Sequence, residues 1–299
     1  MELRGEIRSP EINSMYLEKA EILVEALPYI QQFNRKVIVI KYGGSAMIDE
    51  ELKQNVIEDV VLLKLVGFKP VIVHGGGKDI NKWLSLKGKE PEFKNGLRVT
   101  DKETMEIAEM VLGKVNKELV TKVQSLGVKA IGVSGKDGGM IKVNKKEIED
   151  GDLGFVGDIK HVDAKVINDM LKNDYLPIIS PIGLDDDYQT YNINADEAAS
   201  AIAIALGAEK LAYLSDVEGV RYDADDPDSI IGQIYTDETE KLIEEGIISG
   251  GMIPKLRNCT DAIKRGVNRV HIMDGRVPHS LLLEIFTKKG VGTLILKED

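Results

Sequence analysis

Strand and helix signals alternate along most of this chain and predict an α/β fold, with a mainly parallel sheet and helices on both faces. Three observations carry that prediction. Val37, Ile38, Val39 and Ile40 form an unbroken apolar run, as in a strand covered on both sides. Helical periodicity follows this run and others like it. The glycine-rich stretches fall where strands end, the edge at which open parallel sheets bind ligands.

Residues 1–34 read as an appendage. Ser9-Pro10-Glu11 is a helix start, with a cap, a proline in the first turn and an acid near the positive dipole end. Leu17, Ala20, Leu23, Val24, Leu27 and Ile30 then recur at spacings of three and four, and Pro28 should kink the helix they make. Its apolar stripe needs a cover, from its own domain or from another subunit.

From Lys36 a strand runs into Gly43-Gly44-Ser45, and a helix follows over 50–67 with Val56, Val60, Leu63, Leu65 and Val66 on its apolar side. A strand at 70–73 ends in His74-Gly75-Gly76-Gly77, and a helix starts at Lys78. Asn95-Gly96 marks a hairpin turn leading to Arg98, after which Thr100 and Asp101 can cap a helix reaching about Leu126. A strand is expected at 129–134, a small hairpin layer at 135–160, a helix at 163–173 and a strand at 177–180. Tyr191-Asn192-Ile193-Asn194 leads into a helix over 195–206, followed by a strand at 210–214 that Ser215-Asp216 interrupts. Helices at 238–245, from Gly250-Gly251 to 265 and at 279–286 complete the pattern, with strands at 269–273 and 293–296. Asp185-Asp186-Asp187 reads as a solvated loop and suggests a lobe boundary, giving parts 1–34, 35–187 and 188–299.

Composition narrows the function. The 299 residues are 43% hydrophobic and 30% charged, which describes an ordinary globular protein. A net charge of -11 and a pI near 5.1 argue against nucleic acid or an anionic membrane as partner. Cys259 is the single cysteine, so neither an intrachain disulfide nor a cysteine metal cluster can form. With no secretory signal and no apolar run of membrane length, the cytoplasm is the expected location.

The usual nucleotide motifs are missing. Gly132-Val133-Ser134-Gly135-Lys136-Asp137 has the wrong spacing for GxxxxGK[ST], and no GxGxxG follows the first strand. Three glycine turns with cations stand in their place: Lys41 with Gly43-Gly44, Gly75-Gly76-Gly77, and Gly250-Gly251 with Lys255. Such turns expose backbone N–H groups and helix starts to anions. Asn192 to Asp196 brings amides and a carboxylate to a strand-to-helix junction, where Asn194 or Asp196 also reads as a plain cap. His74 reads as a strand-end histidine with a satisfied hydrogen bond and Trp83 as packing. No His/Glu/Asp spacing suggests a metal held by the protein alone.

KYGGSAM, VHGGG, GLRVTD, YNINADEAA, LSDVEGV and GGMIPKL, in that order, resemble the amino acid kinase family, and most closely its members that phosphorylate N-acetyl-L-glutamate. The resemblance implies an open three-layer αβα sandwich with two lobes, the first holding the acceptor and the second ATP. It implies Lys41 and Lys255 as stabilisers of the transition state, with Asp196 orienting both. Gly44 would lie near the transferred phosphoryl group, while Gly76, Gly77, Arg98 and Asn192 would hold N-acetyl-L-glutamate. Gly43, Gly44, Ser215, Asp216, Gly219, Val220, Arg221, Met252 and Lys255 would line the ATP site, with Mg2+ carried on the phosphates. A γ-carboxylate acceptor has a pKa of about 4.3 and is already ionised at pH 7, so no general base is required. Positioning and cations must do the work.

The same resemblance implies inhibition by arginine and a homohexamer built as a trimer of dimers. The appended helix resembles one that arginine-sensitive members interlace between dimers. His271 to Gly275, Glu284 to Thr287 and Gly290 to Thr293 resemble their effector signature. Glu284 suits a guanidinium because it can accept it bidentately, with Tyr16, Lys210, His271 and Gly290 as further candidates. Two alternatives stay open: a sibling kinase for another carboxylate, carbamate or phosphate, and a non-catalytic amino-acid sensor. A related acetyltransferase would need an added domain, for which no room is expected after Asp299.

Overall fold

The computed structural model describes residues 10–47, 49–149, 151–223, 225–287 and 290–298. Ser9, the expected first cap, lies outside them. Helix α1 (Pro10–Glu25) breaks at Ala26 before α2 (Leu27–Phe33), as expected of Pro28, whose ring clashes with the preceding turn. Phe33 packs on Phe68 and Tyr29 on Phe286, so α2 docks on its own domain. The stripe on α1 does not: Leu23 is 73% exposed and Leu17, Ile22 and Val24 are exposed with it.

The chain then runs β1 (Val37–Tyr42), α3 (Glu50–Leu65), β2 (Lys69–His74), α4 (Gly77–Leu86), the hairpin β3 (Phe93–Lys94) and β4 (Leu97–Arg98), and α5 (Lys102–Ser125). Next come β5 (Ala130–Ser134), β6 (Ile141–Ile148), β7 (Gly151–Val162), α6 (Lys165–Lys172), β8 (Leu176–Ser180), β9 (Ile182–Leu184) and β10 (Thr190–Asn192). The last part holds α7 (Ala195–Leu206), β11 (Lys210–Ser215), β12 (Gln233–Tyr235), α8 (Thr239–Glu244), α9 (Met252–Lys264), β13 (Arg269–Asp274), α10 (Ser280–Phe286) and β14 (Thr293–Leu296).

Eight strands form one sheet in the order β12-β14-β13-β11-β1-β2-β8-β5, parallel except for the β13–β14 pair. Alternation along β1 sorts its side chains. Ile38, Ile40 and Tyr42 join one core with α3, α4, α5 and α10, and Val39 joins the other with α6, α7 and α9. Lys41 shares the parity of Val39, so it faces α7 and α9.

The structure departs from the sequence expectation in the barrel, in the added strand β12 and at Leu65, while Asp185-Asp186-Asp187 forms the solvated loop expected of it. The hairpin β6–β7 is half of a closed four-stranded barrel, which β9 and β10 complete. Asp185-Asp186-Asp187 lies in the turn between β9 and β10, where the Asp185 carboxylate accepts from the N–H groups of Asp187 and Gln189. Leu65 ends α3 on the outer side at 68% exposed, while Ile57 and Val61 take core positions.

Helix α10 is pinned to α3 by a buried carboxylate. His279 Nδ1–H donates to Asp59 Oδ1 at 2.6 Å, from a left-handed backbone at φ 56°. Burial pushes the Asp59 carboxyl from its ordinary 3.8 up to about 6, against the pull of His279. Because this pKa is raised, the stability it reflects is complete below pH 3.8 and is lost as pH climbs through about 6. Asp59→Asn keeps an acceptor for His279 and removes the charge. It should therefore stabilise the fold by about 3 kcal/mol at pH 8, taking 1.36 kcal/mol per pH unit, and change nothing at pH 3.5. Denaturant melts at both pH values check this.

Candidate active site

Lys41 ends β1, Asp196 opens α7 and Lys255 lies in the first turn of α9. The sheet brings the three together. Lys41 Nζ stands 2.9 Å from Asp196 Oδ1, and Lys255 Nζ stands 3.5 Å from Oδ2. Burial pushes the Asp196 carboxyl up, but the charges of Lys41 and Lys255 outweigh it and hold it below its ordinary value. The carboxylate thus stays ionised and fixes two ammonium groups side by side. Asn194 caps α7, its Oδ1 accepting from the N–H groups of Asp196 and Glu197. Lys146 on β6 donates to Glu197 at 2.8 Å and ties the barrel to the same helical turn.

A cavity of about 270 Å³ opens on one side of this cluster. Lys41, Gly43, Gly44, Gly75 to Gly77, Arg98, Asn192 and Asp196 line it. The helix α4 begins there at Gly76 with no side-chain cap, so its first N–H groups are available to an anion. Arg98 is buried: Nη2 donates to Gly77 O at 3.0 Å, the guanidinium stacks 4.8 Å from the Phe93 ring, and Nη1 has no hydrogen-bond partner. Burial lowers its pKa. A buried, half-satisfied guanidinium costs free energy unless a ligand oxygen completes it.

A second cavity, of about 290 Å³, holds Asp216, Gly219, Val220, Arg221 and Met252, together with Arg276. Ser215 ends β11 beside it, buried and with an unpartnered Oγ. Thr293 Oγ1 accepts from Val220 N–H at 2.8 Å, and Arg221 pairs with Glu218. Gly44 links the two cavities. Its φ of 75° favours glycine, and a methyl there would overlap the Asp216 carboxylate. Helix α9 starts after Gly250-Gly251, again without a side-chain cap, next to Lys255. Lys41 lines the first cavity, whereas Lys255 lines, with Asp196, a larger one of about 1070 Å³, so the ion-paired cluster puts two cations beside space that anions can enter.

Of the effector candidates, four converge elsewhere. His271 Nδ1–H donates to Glu284 Oε1 at 2.7 Å, and Lys210 Nζ–H donates to His271 Nε2 at 3.1 Å. Glu284 Oε2 accepts from the N–H groups of Val291 and Gly292, and a side chain at Gly290 would overlap it. Burial drives His271 down to about 4 and Lys210 down to about 8. Burial would raise Glu284, but the His271 bond and the two N–H groups hold it below its ordinary value. Tyr16 lies on α1, its ring 5.9 Å from Lys19 Nζ.

Sequence reading passed over Tyr213 and Asn258, which lie beneath the lysine cluster. Tyr213 pairs with Lys41 in the β1–β11 register, and Asn258 follows Lys255 by three residues on α9. Those two spacings were the available signal. His74 is as expected: fully buried, with Nδ1–H to Gly75 O at 2.8 Å and Nε2 accepting from Asn116.

The family model described as the amino acid kinase family matches residues 36–274. An acetylglutamate kinase of Campylobacter jejuni subsp. doylei is 57% identical over 94% of this chain and 99% of its own. One from Syntrophomonas wolfei subsp. wolfei is 53% identical over 94% and 98%. Among solved structures, N-acetylglutamate synthase from Neisseria gonorrhoeae, complexed with coenzyme A and N-acetyl-glutamate, has a TM-score of 0.83 at 26% identity. The match covers 94% of this chain but only 64% of that synthase. Carbamate kinase from Giardia lamblia shares the fold, with a TM-score of 0.65 at 17% identity. The chain is therefore a kinase of the amino acid kinase family.

Proposed function

We propose that this chain transfers the γ-phosphoryl group of ATP to the γ-carboxylate of N-acetyl-L-glutamate, a step of arginine biosynthesis. The observation that carries the reading is Asp196 holding Lys41 and Lys255 together, with Lys41 on the first cavity and Asp196 and Lys255 on the larger one beside it. In this reading Arg98, Asn192 and the glycines at 76 and 77 bind the acceptor. Residues 215–221, Gly43, Gly44 and Met252 bind ATP. Mg2+ carried with ATP would offset the charge of its phosphates. Two like-charged reactants must approach, and preorganised ammonium groups stabilise the charge that builds on the transferring oxygens. The names of the relatives favour N-acetyl-L-glutamate over other acceptors. Coupled ADP release across N-acetylglutamate, glutamate, aspartate and carbamate tests it, with turnover confined to the first.

Arginine inhibition of a homohexamer is part of the same proposal. The buried Lys210–His271–Glu284 chain supports it, as does Phe33 at the end of α2, whose ring lies 4.5 Å from Lys210 Nζ. The N-terminal helix and the effector group are thus in contact, and the exposed stripe of α1 awaits another subunit. Arginine would act by binding one lobe arrangement better than the catalytic one. Deleting residues before Gln32 should yield active dimers that ignore millimolar arginine, while full-length chain elutes as a hexamer and is inhibited. A dimeric or arginine-indifferent full-length enzyme would remove this part alone.

A further inference from the structure

Tyr213 is fully buried beneath the lysine cluster, in contact with Asp196 and Lys255. It lies beside Lys41 in parallel register, so both side chains leave the same face of the sheet. Its ring lies 5.4 Å below Lys255 Nζ. Its hydroxyl donates to the carbonyl oxygen of Asp196 at 3.3 Å and accepts from Asn258 Nδ2–H at 3.3 Å. One phenol thus ties the first turn of α7 to α9 and gives the Lys255 ammonium a π face to rest on.

We infer that Tyr213 is a positioning residue for phosphoryl transfer, fixing the spacing of Lys41 and Lys255 across Asp196. The inference rests on the kinase reading above. A lysine side chain has four rotatable bonds and no intrinsic aim, so a scaffold that restrains its ammonium sets the fraction of time it meets the transferring group. Misplacement by an ångström can cost on the order of 10² in rate. Tyr213 itself reaches no substrate.

Tyr213→Phe keeps the ring and removes only the hydroxyl. In the full chain at saturating substrates it should lower kcat about tenfold, a modest share of what misplacement can cost. The KM values for both substrates and the melting temperature should hardly move. Asn258→Leu, which leaves Tyr213 in place, should show the same kcat-selective loss. In a Lys255→Ala background Tyr213→Phe should add almost nothing, because residues acting as a unit are not additive. Wild-type kcat in Tyr213→Phe, or a full tenfold loss on top of Lys255→Ala, would overturn the role. A wild-type chain that fails to turn over N-acetyl-L-glutamate would instead overturn the kinase reading.

Discussion

Alanine at Lys255 should lower kcat by on the order of 10²–10³, roughly 3–4 kcal/mol of transition-state stabilisation, with the fold intact. Lys41→Ala should do the same. The lysines are 12% and 15% exposed at their side chains, sit in cavities rather than the core, and share one carboxylate. Removing either leaves Asp196 paired with the other, so no uncompensated buried charge remains to unfold the protein. What disappears is a fixed cation facing the transferring phosphoryl group. Steady-state kinetics with a melting curve beside them check it. A mutant with near wild-type kcat would exclude that lysine from the chemistry.

Arg98→Ala should act on binding instead. Truncating a buried, hydrogen-bonded charge partner typically costs about 2–5 kcal/mol, so KM for N-acetyl-L-glutamate should rise by roughly 30-fold to several thousand-fold at 1.4 kcal/mol per decade. KM for ATP should change little, because Arg98 lines the first cavity and not the second. An equal rise in both would place Arg98 outside the acceptor site. The buried and unpartnered Nη1 is the physical reason to expect so large an effect.

Much of this arrangement was legible in the residues. The apolar run of β1 announced a strand covered on both faces, and its residues do divide between the two cores. The hairpin at Asn95-Gly96 put Arg98 on a short strand at a cavity edge. Asn194 and Asp101 act as caps because their oxygens reach N–H groups two or three residues on. The convergence of Lys41, Asp196 and Lys255 is different. No local pattern links three residues so far apart, and only the motif resemblance joined them before the sheet did. The strands β9, β10 and β12 have three residues each, too few for alternation to register. Tyr213 escaped notice because a tyrosine in an apolar strand reads as core, and its hydroxyl acquires meaning only from α7 and α9.

The central claim is that the paired lysines carry a phosphoryl group onto a carboxylate. An acyl phosphate reacts with hydroxylamine, so the product can be trapped as formed. Full-length chain incubated with ATP, Mg2+, N-acetyl-L-glutamate and hydroxylamine should give ADP and the glutamyl hydroxamate in equal amounts, with both strongly reduced in Lys255→Ala. Binding of both ligands with neither product would contradict the account, as would a hydroxamate formed only from a different acceptor.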